Sequence, residues 1–112
     1  MYSRGEIVLI PVPFTDLSAS KKRPVLIISN DGFNAENQDI VVVAITSNLI
    51  QPGVPITTAD LKEGQLPKPS IIRSDKIYTL NQHIVVKRIG HVADTIVDTV
   101  RIDIMKLISN AG

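Results

Sequence analysis

Two spacings of hydrophobic residues divide the chain. Up to Gly90 they come in runs of strand length broken by prolines, glycines and short polar stretches; from Ala93 onward they recur every three to four positions. "EIVLIPVPF" (6–14) predicts a strand, but Pro11 and Pro13 each remove a ladder donor, so its second half lies at an edge or bends out of the sheet. "TDLSASKK" (15–22) is a polar loop of small and charged residues. "RPVLIISN" (23–30) is a strand opening on Pro24, "DGFNAENQ" (31–38) a turn, and "DIVVVAITSN" (39–48) a nearly unbroken apolar run, as expected of a central strand covered on both faces. Pro52, Gly53, Pro55, Gly64, Pro67 and Pro69 make the next stretch mostly turns, with one short strand near "VPITT". "SIIRSDKIYTLN" (70–81) and "HIVVKRIG" (83–90) are two further strands on either side of a turn at Asn81 and Gln82.

Beyond Gly90, Ala93, Val97, Val100, Ile104 and Leu107/Ile108 lie on one helical face. Asp94 and Asp98 stand toward its start and Lys106 near its end, the order the helix dipole favours. The pattern predicts a mainly β chain with a C-terminal helix: five or six short strands forming a strongly bent sheet or barrel, with the helix stripe packed on it.

Composition narrows the class. A chain of 112 residues supports one domain, 1–112, and its 44% apolar and 21% charged content is that of a folded protein. Two Phe, two Tyr and no Trp leave the core to aliphatic side chains. The absence of cysteine excludes disulfides, thiolate metal sites and a cysteine nucleophile, and fits a reducing compartment. With no signal-peptide layout and no apolar run near the ~20 residues that span a bilayer, the expected location is the cytoplasm, away from the membrane.

The net charge of +1 hides an asymmetry: residues 1–60 carry four basic and six acidic side chains, residues 61–112 eight basic and five acidic. Lys62, Lys68, Arg73, Lys76, Lys87 and Arg88, joined by Lys21, Lys22 and Arg23, form a local basic surface that could be a solvated face or could track a phosphate backbone. Arg73 and Asp75, alternate residues of one predicted strand, share a face and start roughly 7 Å apart, close enough to pair and far enough to flank a phosphate. Thr46 and Ser47 end the central run. His83 and His91 have no third ligand at useful spacing, so no metal site is expected, and no Walker loop, dinucleotide fingerprint, HExxH or GxSxG is present.

Taken in order, "GEIVLIPVPFTDLSASKKRPVLIIS" (5–29), "VVVAITSN" (41–48) and "LPKPSIIRSDKIYTL…VVKRIG" (66–90) resemble the PemK/MazF-like toxins of type II toxin–antitoxin systems, sequence-specific messenger RNA endoribonucleases. The likeness covers nearly the whole chain. It implies a small SH3-like barrel of five to seven strands that forms a symmetric homodimer, binds single-stranded RNA in a groove across the dimer, and is blocked there by the disordered tail of a cognate antitoxin. It also implies cleavage without metal or other cofactor, by attack of the 2′-hydroxyl, leaving a 2′,3′-cyclic phosphate and a free 5′-hydroxyl.

That chemistry needs a base, donors for the charge that develops on the phosphorane, and a proton for the leaving oxygen. By resemblance, Arg23 in "KKRP" contacts the scissile phosphate, Thr46 supplies a hydroxyl, and Arg73 and Asp75 are the family's charged pair. Asp75 is the candidate base or the carboxylate that orients it. A guanidinium hardly releases its proton, so Arg73 is assigned to the phosphorane, with the leaving-group proton supplied through water. Lys21, Lys22, Ser47 and Lys68 are candidate RNA contacts. Phe14 and Tyr78 are either packing residues or base-stacking platforms.

The chain departs from the family pattern twice. The loop at 15–22 holds no histidine to assist proton transfer, and Ala93 stands where a serine-like cap is usual, weakening the helix start by about 1 kcal/mol. Two other functions share the fold class: a gyrase-poisoning toxin of the same superfamily, which would not require Arg23, Thr46, Arg73 and Asp75 together, and an SH3-like peptide-binding module, which so few aromatics serve poorly.

Overall fold

Seven strands and two helices make up the described part of the computed structural model, residues 1–11 and 21–110. Pro13, Phe14 and most of the polar loop lie outside the described residues. In chain order the elements are β1 (Glu6–Pro11), β2 (Lys22–Ile27), α1 (Asp31–Glu36), β3 (Asp39–Thr46), β4 (Val54–Ile56), β5 (Leu61–Gly64), β6 (Ser70–Asn81), β7 (Lys87–Val92) and α2 (Asp94–Leu107). The strands form one curled half-barrel sheet in the order β4-β6-β3-β2-β1-β7-β5, each adjacent pair antiparallel. The mainly β class with a C-terminal helix is as expected.

Both faces of this sheet are covered, which is why its inner strands are apolar at successive positions. Ile7 and Val8 are neighbours, point to opposite faces, and are both fully buried. Ile7 joins Leu26, Val43, Ile72 and Val92 in one cluster, closed by Val97 and Val100 of α2. Val8 joins Val25, Ile27, Ile40 and Val42 in another, edged by Tyr2, Leu80 and Val85. Each fully buried aliphatic side chain contributes roughly 1.5–3 kcal/mol.

The elements differ from the sequence expectation where local polar contacts outweigh pattern. The turn expected at 31–38 contains α1, nucleated by Asn30, whose side chain accepts from Phe33 N at 2.8 Å. The helix is held to the sheet by buried Asn34, which donates to the Tyr2 and Ser29 carbonyls at 3.0 Å. β5, unforeseen in a segment read as turns, is an exposed edge strand on β7 and shows no alternation. The last strand runs later than expected because a 3-10 turn occupies Gln82–Ile84.

α2 starts as expected after Ala93, which makes no side-chain cap. Ala93 N–H donates instead to the Asp60 carbonyl at 2.8 Å, and Asp94 pairs with Lys62 at 3.2 Å. The expected apolar stripe is buried only in part: Val97 and Val100 are enclosed, whereas Leu107 and Ile108 are 55% and 74% exposed.

Candidate active-site groove

A groove of about 470 Å³ crosses one face of the sheet between β1, β2, β3 and β6. Arg23, Thr46, Asn48, Gln51, Arg73 and Lys76 form its polar part; Ile10, Pro11, Tyr78, Leu80 and Ile84 form an apolar part. Antiparallel pairing explains the convergence. Arg23 of β2 stands opposite Ile10, Thr46 ends β3 opposite Ile71, and Arg73 of β6 stands opposite Ala44. Three sequence motifs far apart in the chain thus meet because β2, β3 and β6 are consecutive in the sheet.

β6 is not a regular strand at this point. Val43 pairs with Ile77 but its neighbour Ala44 pairs with Arg73, so Ser74, Asp75 and Lys76 bulge out of the ladder. Inside the bulge Ser74 turns inward and donates to Asp103 of α2 at 3.4 Å, while Asp75 turns outward. The regular-strand expectation that Arg73 and Asp75 flank a phosphate between them is corrected here, because the two are in direct contact. Arg73 Nε donates to Asp75 Oδ1 at 2.9 Å and Nη2 to Oδ2 at 2.8 Å, a bidentate pair. Asp75 itself faces an adjoining hollow of about 210 Å³ beside Pro52, Gly53 and Asp103, and is not part of the groove wall.

This pairing sets the electrostatics. The hydrogen bond from Arg73, then its charge, hold the Asp75 carboxyl below the usual aspartate range. The same hydrogen bond, helped by the charge of Asp75 and by Tyr78, holds Arg73 more firmly charged than a free guanidinium. Asp75 is therefore a weak base with both oxygens occupied, and Arg73 a fixed cation. Arg73 is mostly covered, its side chain 13% exposed.

The loop leaving β3 is hydrogen-bonded to the same group. Asn48 N–H donates to Thr46 Oγ1 at 3.1 Å, Ile50 N–H to Asn48 Oδ1 at 3.2 Å, and Gln51 N–H to the Asn48 carbonyl at 3.2 Å. Gln51 Oε1 then accepts from Arg73 Nη1 at 2.5 Å. Because Thr46 Oγ1 accepts from backbone, its own hydroxyl proton is left to donate.

The groove brings Arg23, Thr46 and Arg73 together, with Asp75 behind Arg73. The other expected contacts stand apart from its wall. Lys21 and Lys22 are exposed on the approach to Arg23, Ser47 is exposed just past Thr46, and Lys68 is exposed in the loop before β6. Besides Arg73, two members of the expected basic surface belong to ion pairs: Lys62 with Asp94, and Arg88 with Glu6 and with Glu63, the latter at 2.6 Å. Lys76 is a groove residue that the sequence reading left in the general basic surface, and Asn48 and Gln51 were missed altogether. The one signal for them was their place between Thr46 and the Pro52-Gly53 turn. Among the described residues no three His, Asp or Glu side chains converge as metal ligands, and no helix is long and apolar enough to cross a membrane.

Comparison with known proteins gives a family from sequence and a shared fold from structure. A family model described as "PemK-like, MazF-like toxin of type II toxin-antitoxin system" matches residues 3–108. Endoribonuclease MazF6 of Mycobacterium tuberculosis is 36% identical over 98 residues, covering 80% of this chain and 82% of that protein. A mycobacterial endoribonuclease solved in complex with its cognate antitoxin superposes with a TM-score of 0.73 at 20% identity, covering 94% of this chain and 90% of that one. MazF from Deinococcus radiodurans superposes with a TM-score of 0.72 at 16% identity, covering 96% of each chain. At these identities the structural likeness is one of fold.

Proposed function

Because the chain belongs to the PemK-like, MazF-like toxin family of type II toxin–antitoxin systems, we propose that it is the toxin of such a pair and a sequence-specific endoribonuclease of single-stranded mRNA. The observation that carries this reading is the groove in which Arg23, Thr46 and Arg73 converge from three adjacent strands. Cleavage proceeds by in-line attack of the 2′-hydroxyl on the neighbouring phosphorus: the 2′-O–P bond forms as the P–O5′ bond breaks, water takes the 2′-hydroxyl proton, and water supplies the proton to the leaving 5′-oxygen. Arg23 and Arg73 neutralise the phosphorane oxygens, and the Thr46 hydroxyl donates to the phosphate or the attacking oxygen.

The bidentate pair favours the orienting role for Asp75 over that of base. A carboxylate that accepts from Arg73 with both oxygens has little tendency to take a further proton, but it fixes the guanidinium. Three of the five guanidinium N–H groups are engaged, and two remain for the phosphate. Lys21, Lys22, Ser47 and Lys68, all exposed, guide the flanking RNA. The protein acts in the cytoplasm as a homodimer, with a cognate antitoxin whose disordered, acidic tail competes for the basic groove.

The test is to incubate the purified protein with a long single-stranded RNA in excess EDTA and to examine the ends. Fragments with 2′,3′-cyclic phosphate and 5′-hydroxyl termini are expected, and Arg23→Ala or Asp75→Ala in folded protein abolishes or sharply reduces them. Intact RNA under conditions where the protein is dimeric overturns the ribonuclease reading. Sedimentation as a monomer at micromolar concentration overturns the dimer.

A further inference from the structure

The Arg73 guanidinium is held at two separate places. Asp75 takes the edge made by Nε and Nη2, and Gln51 takes Nη1. Asp75 holds one edge of the cation from an outward bulge, with its own side chain 44% exposed. The second anchor is better supported. Asn48 receives the Ile50 and Gln51 amides, Pro52 restricts the backbone of Gln51 to extended conformations, and Gly53 lies against the Ile72 carbonyl one residue before Arg73. The loop from Thr46 to Gly53 is therefore shaped to deliver one neutral acceptor to Arg73, and neutrality matters because a second carboxylate there would repel a phosphate.

We infer that Gln51 is a positioning residue of the groove, acting through Arg73 by setting the plane in which the guanidinium meets the scissile phosphate. The inference rests on the ribonuclease reading for its kinetic consequence, but not for its structural one. Gln51 touches no reacting atom. Its contribution is to keep the two unoccupied N–H groups of Arg73 aimed into the groove during turnover.

The test compares Gln51→Met, which keeps bulk and loses the acceptor, with Gln51→Glu, which keeps the acceptor and adds charge. The substrate is a short fluorescent RNA cut from a site mapped on a long transcript. Gln51→Met lowers kcat about tenfold to a hundredfold with KM within about twofold, because the loss falls on alignment in the transition state. Gln51→Glu restores kcat to within about threefold of wild type and raises KM, more so at low salt. In an Arg73→Ala background Gln51→Met has no further effect; an independent, additive loss there overturns the inference. In the RNA-free protein the Arg73 Nη1 protons, bonded to Gln51, are observed directly by NMR, protected from exchange in wild type and unprotected in Gln51→Met. Unchanged protection in the variant overturns the inference whether or not RNA is cut. Lost protection alongside a wild-type protein that cuts no RNA supports the anchor and overturns the ribonuclease reading alone.

Discussion

Replacing Gly53 by alanine is the most damaging single-methyl change expected near the groove. Gly53 has φ +145°, a conformation that L side chains rarely adopt, and an added Cβ would lie 2.2 Å from the Ile72 carbonyl oxygen and 2.7 Å from Ile71 Cγ2. The strained backbone costs about 1–3 kcal/mol. The contact with Ile72 is with backbone of β6, which cannot swing aside as a surface side chain would, and forcing it apart costs about another 1–3 kcal/mol. The total, about 2–6 kcal/mol, is a large part of the 5–15 kcal/mol that holds a typical domain together. Since about 1 kcal/mol moves Tm by roughly 4–8 °C for a domain of about this length, Gly53→Ala lowers Tm by at least about 8 °C. Gly32→Ala is the control, because its Cβ meets only Asn30 Oδ1, at 3.4 Å, inside α1. That change is expected to lie within about 1 kcal/mol of neutral or to stabilise, as alanine usually does in a helix. Urea and thermal unfolding of both variants measure the difference, and a Gly53→Ala protein within about 1 kcal/mol of wild type would refute the steric reasoning.

Three further outcomes are expected. Asp75→Asn changes stability by less than about 1 kcal/mol, because the pair is solvated on the Asp75 side, yet lowers kcat about a hundredfold by loosening Arg73. Since Arg73 depresses the Asp75 pKa, its stabilising contribution is present above the ordinary aspartate value and lost only as pH falls through the lower folded value; an Asp75-dependent acid limb in the rate between about pH 5 and 8 would restore its role as base. Arg88→Met leaves the buried Glu6 carboxylate without its cation and destabilises by about 1–3 kcal/mol at neutral pH, as measured by urea unfolding. Arg88 also depresses the Glu63 pKa, so the Glu63 share of that loss is full above the ordinary glutamate value and vanishes as pH drops through the folded value; a loss independent of pH from 3 to 7 would exclude that share. Val100→Ala, at a position 1% exposed where α2 meets the sheet, costs about 1–3 kcal/mol, and a smaller loss would mean that the helix adds little to the fold.

What the sequence made legible follows from which signals are periodic. Long aliphatic runs such as "DIVVVAIT" mark β3 because both faces of the sheet are covered, and the 3.6-residue repeat of Val97 and Val100 marks α2. The six residues of α1 are too few to show a period, and β5 is an edge strand whose exposed Lys62 and Glu63 alternate with nothing. In the groove, Arg23, Thr46 and Arg73 were readable because residue type and order match a family. Gln51 was not, because a lone glutamine before a proline has no pattern of its own; its role depends on a bulge that breaks the two-residue repeat. The same bulge explains why Asp75 was expected across a phosphate from Arg73 and is found bonded to it.

A sheet enclosed on both sides has to solve an addressing problem during folding. Where Ile7 and Val8 are equally buried, sliding β1 by one residue exchanges one aliphatic side chain for another, so hydrophobicity alone does not say which pairing is right. The information has to come from groups that tolerate only one place. Glu6, buried at the head of β1, accepts from Ser3 N–H at 2.5 Å and from Arg88 of β7, and Asn34 ties α1 back to Tyr2 and Ser29. A slip by a single position would strand a carboxylate in the interior, an error far costlier than any misplaced methyl group. These few polar side chains act as the keyed teeth of an otherwise uniform aliphatic interior, contributing alignment where the many Ile, Val and Leu contribute cohesion.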